Sequence, residues 1–558
     1  LFNELGKKLK PKVRCILQLA NHGAGLPDGG LFTQEQFQRA ADLEPRAGQV
    51  PSRGAIEVKG PGDEIQAIIK SKQVADYLKA YRQVLVTNLR EFQLVAVDPV
   101  SGRPAPLESY SLAASADSLW SLCVQPKKAA AQHGERFGEF LTRVMLHAAP
   151  LAEPKDVAWF LASYAREARA RLELAALDPL PSIRAALEDA LGIRFSGDKG
   201  EHFFRSTFVQ TLFYGVFSAW VLWSKQTGGA DPAARFNWKE TADYLHVPFL
   251  RALYYQLANP GPLKDLGLTE VLGWAEQVLN RVDRQNFFAA FEEGQAVQYF
   301  YEPFLEAFDP SLRKELGVWY TPPEVVQYMV ARVDAVLREE LDIADGLADE
   351  QVYVLDPCCG TGAYLVEVLK RIAATLREKG EDALLAQDLK KAALERVIGF
   401  EILTAPFVVS HLQLGLLLSN LGAPLKDDET ERVGVYLTNA LTGWEPPSGP
   451  KARLPFREFE EERDAADAVK RERPILVVLG NPPYNAFAGV SPVEEQGLVD
   501  VYKEGLNKPV EQGGWGIKKF NLDDLYVRFF RLAERRIAEK PEPGRGVVCF
   551  ISNFSYLS

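Results

Sequence analysis

The run Val354-Leu-Asp-Pro-Cys-Cys-Gly-Thr-Gly362 constrains this chain more than any other stretch. An apolar segment, Val352 to Leu355, leads into it, and a helical pattern, Ala363 to Arg371, leads out. A strand that ends in a glycine turn and opens a helix predicts a Rossmann-like α/β layer with a nucleotide-type cofactor site at the turn. Glycine lets the backbone approach a ligand, and the helix N-terminus supplies N–H groups with no intrahelical partner. On its own the run is only moderately specific.

A second motif sharpens it. Pro474 to Gly480 reads as an apolar strand, and Asn481-Pro-Pro-Tyr484 follows at once. An exocyclic amine conjugated to a ring is a poor nucleophile. The side-chain oxygen of Asn481 and the carbonyl of Pro482 can accept its two N–H bonds, which raises electron density on the nitrogen. Pro482 and Pro483 fix the backbone so that both acceptors are set in advance. Tyr484 can stack on a base turned out of a duplex. The bland reading is a proline turn after a strand, but the position behind a cofactor turn argues against it.

Together these motifs resemble the gamma-class N6-adenine DNA methyltransferases, which use S-adenosylmethionine. The resemblance adds Tyr320-Thr321-Pro322, matching a segment that contacts the methionine end of the cofactor. It also implies that Asp356, with Pro357, meets the cofactor's amino group, while Gly360 and Gly362 allow close approach. Thr321 followed by Pro322 reads as a helix N-cap with Pro at the first helical position, opening Glu324 to Glu339. Arg396 to Glu401 is the next strand, and an acid at its end is placed to accept both ribose hydroxyls. The alternative for Glu401 is a surface acid. Asn439, after the strand at Val435, stands where the family often has an Asp for the adenine amine, so its role departs from the pattern.

The first 125 residues carry other chemistry. Asp28 lies in a turn cluster, Gly23 to Gly30, and Ala55 to Lys59 reads as a strand with Glu57 and Lys59 on one face. Two carboxylates and a lysine suit metal-assisted phosphodiester cleavage, since the acids hold Mg²⁺ and the lysine steadies an attacking water. Ile65 to Arg82 reads as one helix, with Gln73 and Tyr77 a turn apart. The order resembles the PD-(D/E)xK nuclease superfamily. That likeness implies Asp28 and Glu57 as metal ligands, Glu4 as an additional acid, and Gln73 and Tyr77 facing the site. The bland reading of Glu57 and Lys59 is a surface ion pair on an edge strand. Phe32 to Arg53 reads as a polar insertion.

At 558 residues the chain is too long for one core. The reading is an α/β multidomain protein with a PD-(D/E)xK-like domain at 1–125, an all-α helical connector at 126–294 and a Rossmann-like methyltransferase domain at 295–558. The net charge of −11 excludes a globally basic nucleic-acid binder but not a local basic groove. The five cysteines form neither a disulfide framework nor a zinc motif, which suits a cytoplasmic protein. Ser206 to Ser224 approaches membrane-span length but contains several polar residues, so a buried core helix is expected and no membrane partner. No phosphate-binding G-x-x-x-x-G-K-[ST] run occurs, so no motor domain is implied.

The whole chain thus resembles single-chain restriction-modification enzymes of the type IIG and type ISP kind. The resemblance implies adenine N6 methylation of a specific site in double-stranded DNA, Mg²⁺-dependent cleavage of unmodified DNA, and other protomers at a second DNA site as partners. Asn485 to Phe520 is expected as a loop near DNA, and a recognition domain beyond Ser558. The alternatives are a phage-defence methyltransferase with an inactive or regulatory nuclease domain, a glutamine methyltransferase acting on proteins, which also uses N-P-P-Y but would be much shorter, and a non-enzymatic DNA-binding or assembly protein.

Overall fold

The computed structural model describes residues 1–19, 25–39, 42–98, 102–174, 180–191, 194–228, 231, 233–258, 266–291, 300–310, 321–380, 385–426, 431–444, 457–483, 497–517, 522–539 and 544–552. It is a mixed α/β structure in two compact units. The first comprises Leu1–Ser163 with Gly273–Phe287, and the second Tyr164–Leu272 with Phe288–Ser558. Residues 126–294, expected as one helical connector, are therefore divided between them.

The first unit is built on a six-stranded sheet in simple sequence order: β1 (Val13–Leu17), β2 (Gly29–Thr33), β3 (Ala55–Val58), β4 (Gln83–Thr87), β5 (Glu91–Val97) and β6 (Pro104–Ser111). Only β3 and β4 pair in parallel; their crossover is helical. The glycine pair at 29–30, which suggests a turn, instead starts β2, whose residues are all buried. The helix expected over 65–82 breaks in two, Ile65–Ile69 and Lys72–Tyr81. Ser71 caps the second, its side chain accepting from Val74 N at 3.2 Å.

Strand alternation assigns the two faces of this sheet. Ala55, Val84, Val86 and Val95 pack with Val74, Tyr77, Leu78 and Tyr81 of the Lys72–Tyr81 helix. Ile56, Leu85 and Leu94 face the other way, onto Phe140, Leu141, Val144 and Met145 of the helix Pro126–His147. Glu57, two residues after Ala55, thus shares the face of the Lys72–Tyr81 helix. The helix Pro126–His147 is bound to this sheet by a buried ion pair, Arg143 Nε to Glu108 Oε1 of β6 at 2.6 Å.

The second unit holds a five-stranded sheet in the order β11-β10-β7-β8-β9, every pair parallel. Its strands are β7 (Tyr353–Asp356), β8 (Val397–Glu401), β9 (Val435–Leu437), β10 (Ile475–Gly480) and β11 (Val547–Phe550). Strand order reverses between β7 and β10, which opens a crevice at their C-terminal ends. On one face Leu355, Ile398, Phe400 and Val478 pack against Leu525, Phe529 and Leu532 of the helix Leu525–Ile537.

The helix Gly197–Trp223 is apolar nearly all round and is buried, as a core helix must be. It packs on the helix Thr404–Asn420, where the hydroxyls of Thr211 and Thr404 meet. Among the described residues no helix is long and apolar enough to cross a membrane.

One carboxylate fixes the helix Pro323–Glu339 against the helix Ala363–Glu378. Asp334 is fully buried and accepts from Arg338 Nε and Arg371 Nε, each at 3.0 Å, and from Leu347 N at 2.8 Å. Removing it leaves a buried N–H and two cations without their anion. Asp334→Ala is expected to destabilise the second unit by roughly 1–3 kcal/mol, chiefly through the unpaired Leu347 N–H, checked by urea denaturation against the wild-type protein.

Candidate functional site

Two groups of side chains gather, one in each unit. In the first, the Asp28 carboxylate sits at the start of β2 and accepts from Val58 N of β3 at 2.8 Å. Glu57 is 1% exposed, and its Oε1 pairs with Lys59 Nζ. Its Oε2 is buried with no hydrogen-bond partner. Burial raises the Glu57 carboxyl, Lys59 opposes this, and the neighbouring Asp28 adds to it. Opposite, Gln73 Nε2 donates to Tyr77 Oη at 2.8 Å. Tyr77 lies within electrostatic reach of Glu57, Asp28 and Lys59.

Five expected residues, Asp28, Glu57, Lys59, Gln73 and Tyr77, are thus brought together. Glu4 is not: it is exposed and pairs with Lys7, one turn along its own short helix. Among the described residues no group of three or more His, Cys, Asp or Glu forms a metal-ligating cluster. The orphaned Glu57 oxygen beside a second carboxylate nevertheless fits a hard cation whose remaining ligands are water.

The second group lines the crevice of the parallel sheet. Asp356, at the tip of β7, is fully buried; Oδ1 accepts from Cys358 N at 3.1 Å, and Oδ2 has no partner. Gly362 has φ of 89° and forms the N-cap of the helix Ala363–Glu378. A Cβ there would lie 3.1 Å from Ser410 Cβ, so both conformation and space select glycine. Glu401, at the tip of β8, accepts from Gly360 N at 2.8 Å, Ile402 N at 2.9 Å and Leu403 N at 2.8 Å. The expectation that it accepts both ribose hydroxyls meets a constraint here. Three of its roughly four lone-pair directions are already taken by backbone.

Burial pushes the Asp356 carboxyl up to about 8, partly offset by the Cys358 N–H and reinforced by Glu401. Glu401 is pushed up to about 7 by burial against its backbone donors.

At the other side of the crevice β10 ends in Gly480. A Cβ on it would come 2.5 Å from Asp356 Oδ1, so a side chain is excluded where β10 passes β7. The next residue, Asn481, donates from Nδ2 to Thr321 Oγ1 at 3.2 Å. Sequence reading assigned Thr321 to a helix cap. The structure places Pro322 at the cap with no side-chain bond, and Thr321 meets Asn481 instead. Pro482 is buried and Pro483 half-buried. Tyr320 and Tyr484 lie outside the described residues.

Asn439 follows β9, and its Oδ1 accepts from Leu441 N at 3.0 Å. The segment joins the site because Thr438 N donates to Glu401 O at 2.8 Å. Behind it stands Lys470, a buried residue that sequence reading missed. It lies in the charged run Glu460 to Arg473, where nothing distinguishes it from its exposed neighbours.

The all-parallel sheet and its crevice define an α/β unit of the doubly wound class. Comparison with known proteins narrows it. Residues 293–399 match the N-6 DNA Methylase family, a span that contains the Asp356 turn and stops short of Glu401 and Asn481. The chain is also 24% identical to a putative type II restriction enzyme and methyltransferase of Methanocaldococcus jannaschii, over 36% of this chain and 21% of that protein. Among solved structures it is similar to a DrdV–DNA complex (18% identity, 100% of this chain and 47% of the other, TM-score 0.47). It is also similar to the ATP-dependent type ISP restriction-modification enzyme LlaBIII bound to DNA (20% identity, 72% and 25%, TM-score 0.48). The chain spans about a fifth of the length of the curated relative it matches.

The raised carboxyls predict a pH signature of the unliganded protein. Between the ordinary carboxylate range and about 8 the folded state holds protons that the unfolded state has released, so stability falls as pH rises and levels off above 8. The slope is at most about 1.4 kcal/mol per pH unit for each carboxylate. Denaturation titrations from pH 5.5 to 8.5 should show this fall, and Asp356→Asn should flatten it.

Proposed function

We propose that the chain is a bifunctional restriction-modification enzyme. It methylates adenine N6 in a specific double-stranded DNA sequence with S-adenosylmethionine, and it cleaves unmodified DNA with Mg²⁺ through a PD-(D/E)xK-type nuclease site. The observation that carries the methylation reading is the Asn481–Thr321 hydrogen bond beside Asp356, which joins three separate motifs in one crevice.

S-adenosylmethionine, when bound, supplies an electrophilic methyl group. The orphaned Oδ2 of Asp356 fits its ammonium, and the remaining lone pair of Glu401 fits a ribose hydroxyl. Asn481 spends an amide proton on Thr321, which fixes the carboxamide and makes Oδ1 the acceptor for the target amine. Pro482 O takes the second N–H, so both acceptors draw density onto nitrogen before it attacks. Tyr320 is assigned to the methionine end and Tyr484 to stacking on the extruded base. Asn439 is assigned to the base end of the cofactor.

In the nuclease site Asp28 and Glu57 would hold Mg²⁺, and the chemistry it would supply there is polarisation of the phosphate. Lys59, already at Glu57, is placed to orient water and offset developing charge. The Gln73–Tyr77 pair braces the face opposite. Protomers at a second DNA site and a cytoplasmic location complete the reading.

The two activities should separate by mutation. Asn481→Ala is expected to lower methyl transfer to DNA at least ~100-fold, measured with radiolabelled cofactor, while cofactor affinity in calorimetry stays unchanged. Glu57→Gln and Lys59→Ala should abolish Mg²⁺-dependent cleavage of unmethylated plasmid and leave methylation intact. Wild-type protein that never nicks plasmid would reduce the reading to a methyltransferase with an inactive nuclease domain. Methyl transfer that survives Asn481→Ala would overturn the site.

A further inference from the structure

Lys470 belongs to none of the motifs, yet it is buried in the second unit directly behind the turn that follows β9. It sits near the C-terminal end of the helix Arg457–Glu472 and is 1% exposed. Its Nζ donates to Thr438 Oγ1 at 2.7 Å and to Asn439 O at 2.8 Å. Nζ also lies 5.4 Å from the ring centroid of Phe400 on β8. Burial pushes this amine down to about 7, with Asp467 opposing the shift, and its two hydrogen bonds to the turn can be donated in either protonation state. Burial is unfavourable for such a group, and it is tolerated where hydrogen bonds replace water.

What Lys470 holds is informative. Asp356, Glu401 and the 438–439 turn stand at the C-terminal ends of β7, β8 and β9, three adjacent strands. A cofactor with its amine at Asp356 and its ribose at Glu401 reaches its base at the 438–439 turn. The Asn439 side-chain oxygen is engaged by Leu441 N within that turn, so the turn's shape is set by backbone and by the clamp behind it. Glu462 engages Leu437 N, one strand residue earlier, at 2.8 Å.

We propose that Lys470 is a positioning residue for the base end of the cofactor site: its Nζ clamps the Thr438–Asn439 turn through two hydrogen bonds and thereby fixes the surface that recognises adenine. This rests on the S-adenosylmethionine reading above. Removing the clamp leaves the amine and ribose contacts in place and loosens only the base contact.

The test is calorimetric binding of S-adenosylhomocysteine and of its hypoxanthine counterpart to the full chain. Lys470→Met is expected to weaken S-adenosylhomocysteine by about tenfold and to bring the two ligands to similar affinity. Lys470→Arg, which keeps a cationic donor, should restore part of the preference. Because Lys470→Met removes a buried donor from the fold, Thr438→Val supplies a milder variant that deletes one acceptor and keeps the shape; a smaller loss confined to the adenine ligand is expected. Folded variants that retain wild-type affinity and wild-type preference for adenine would overturn the clamp. An equal loss for both ligands would also overturn it, since that marks general damage to the site. Wild-type protein that binds neither ligand would overturn the cofactor reading itself.

Discussion

The parallel sheet of the second unit depends on one buried carboxylate. Glu401 takes a hydrogen bond from Gly360 in the turn after β7 and two more from the backbone just beyond β8. These bonds tie the glycine turn to the neighbouring strand. They also settle the chain as it enters the helix Thr404–Asn420, the same helix on which Gly197–Trp223 packs. A charge without water is costly, and the three N–H donors are what make the site tolerable. A group so placed is scaffold first, and the crevice at the strand ends inherits its shape from those three bonds.

The other unit solves a different problem with a similar device. Period-2 alternation along β3 puts Ile56 in one core and Ala55 and Glu57 toward the other, so an acid enters an apolar face by register alone. Lys59, two residues on, answers it. The oxygen that remains unsatisfied marks where the fold tolerates local instability, and such places are where chemistry concentrates.

Much of this was legible in the sequence, because the signals were local. The strand–turn–helix around Gly362, the E-x-K strand and the turn-apart Gln73 and Tyr77 each announce themselves within a few residues, and the structure brings the partners together. What was not legible is long-range. Thr321 looks like a helix cap until Asn481 arrives from 160 positions away. Gly480 looks like a strand end until Asp356 stands 2.5 Å from its missing Cβ. Lys470 sits in a run of charges whose solvated members look the same. Gly29 and Gly30 read as a turn because glycine is a turn residue by propensity, yet pairing with β1 and β3 overrides propensity.

The chain passes from the first unit to the second at Ser163, returns at Gly273 and leaves again after Phe287. The returning segment closes onto the first unit through the parallel bridge between Leu151 and Val282. Modular exchange in such a protein is therefore not a matter of one splice. A recombination event that swaps the amino-terminal portion at a single junction separates Leu151 from its matched Val282 and leaves a hybrid surface on both sides. Heritable shuffling of this unit requires the distant segment to travel with it, or to have converged on the same packing. On a genome this makes the two separated segments of the first unit co-inherited by geometry.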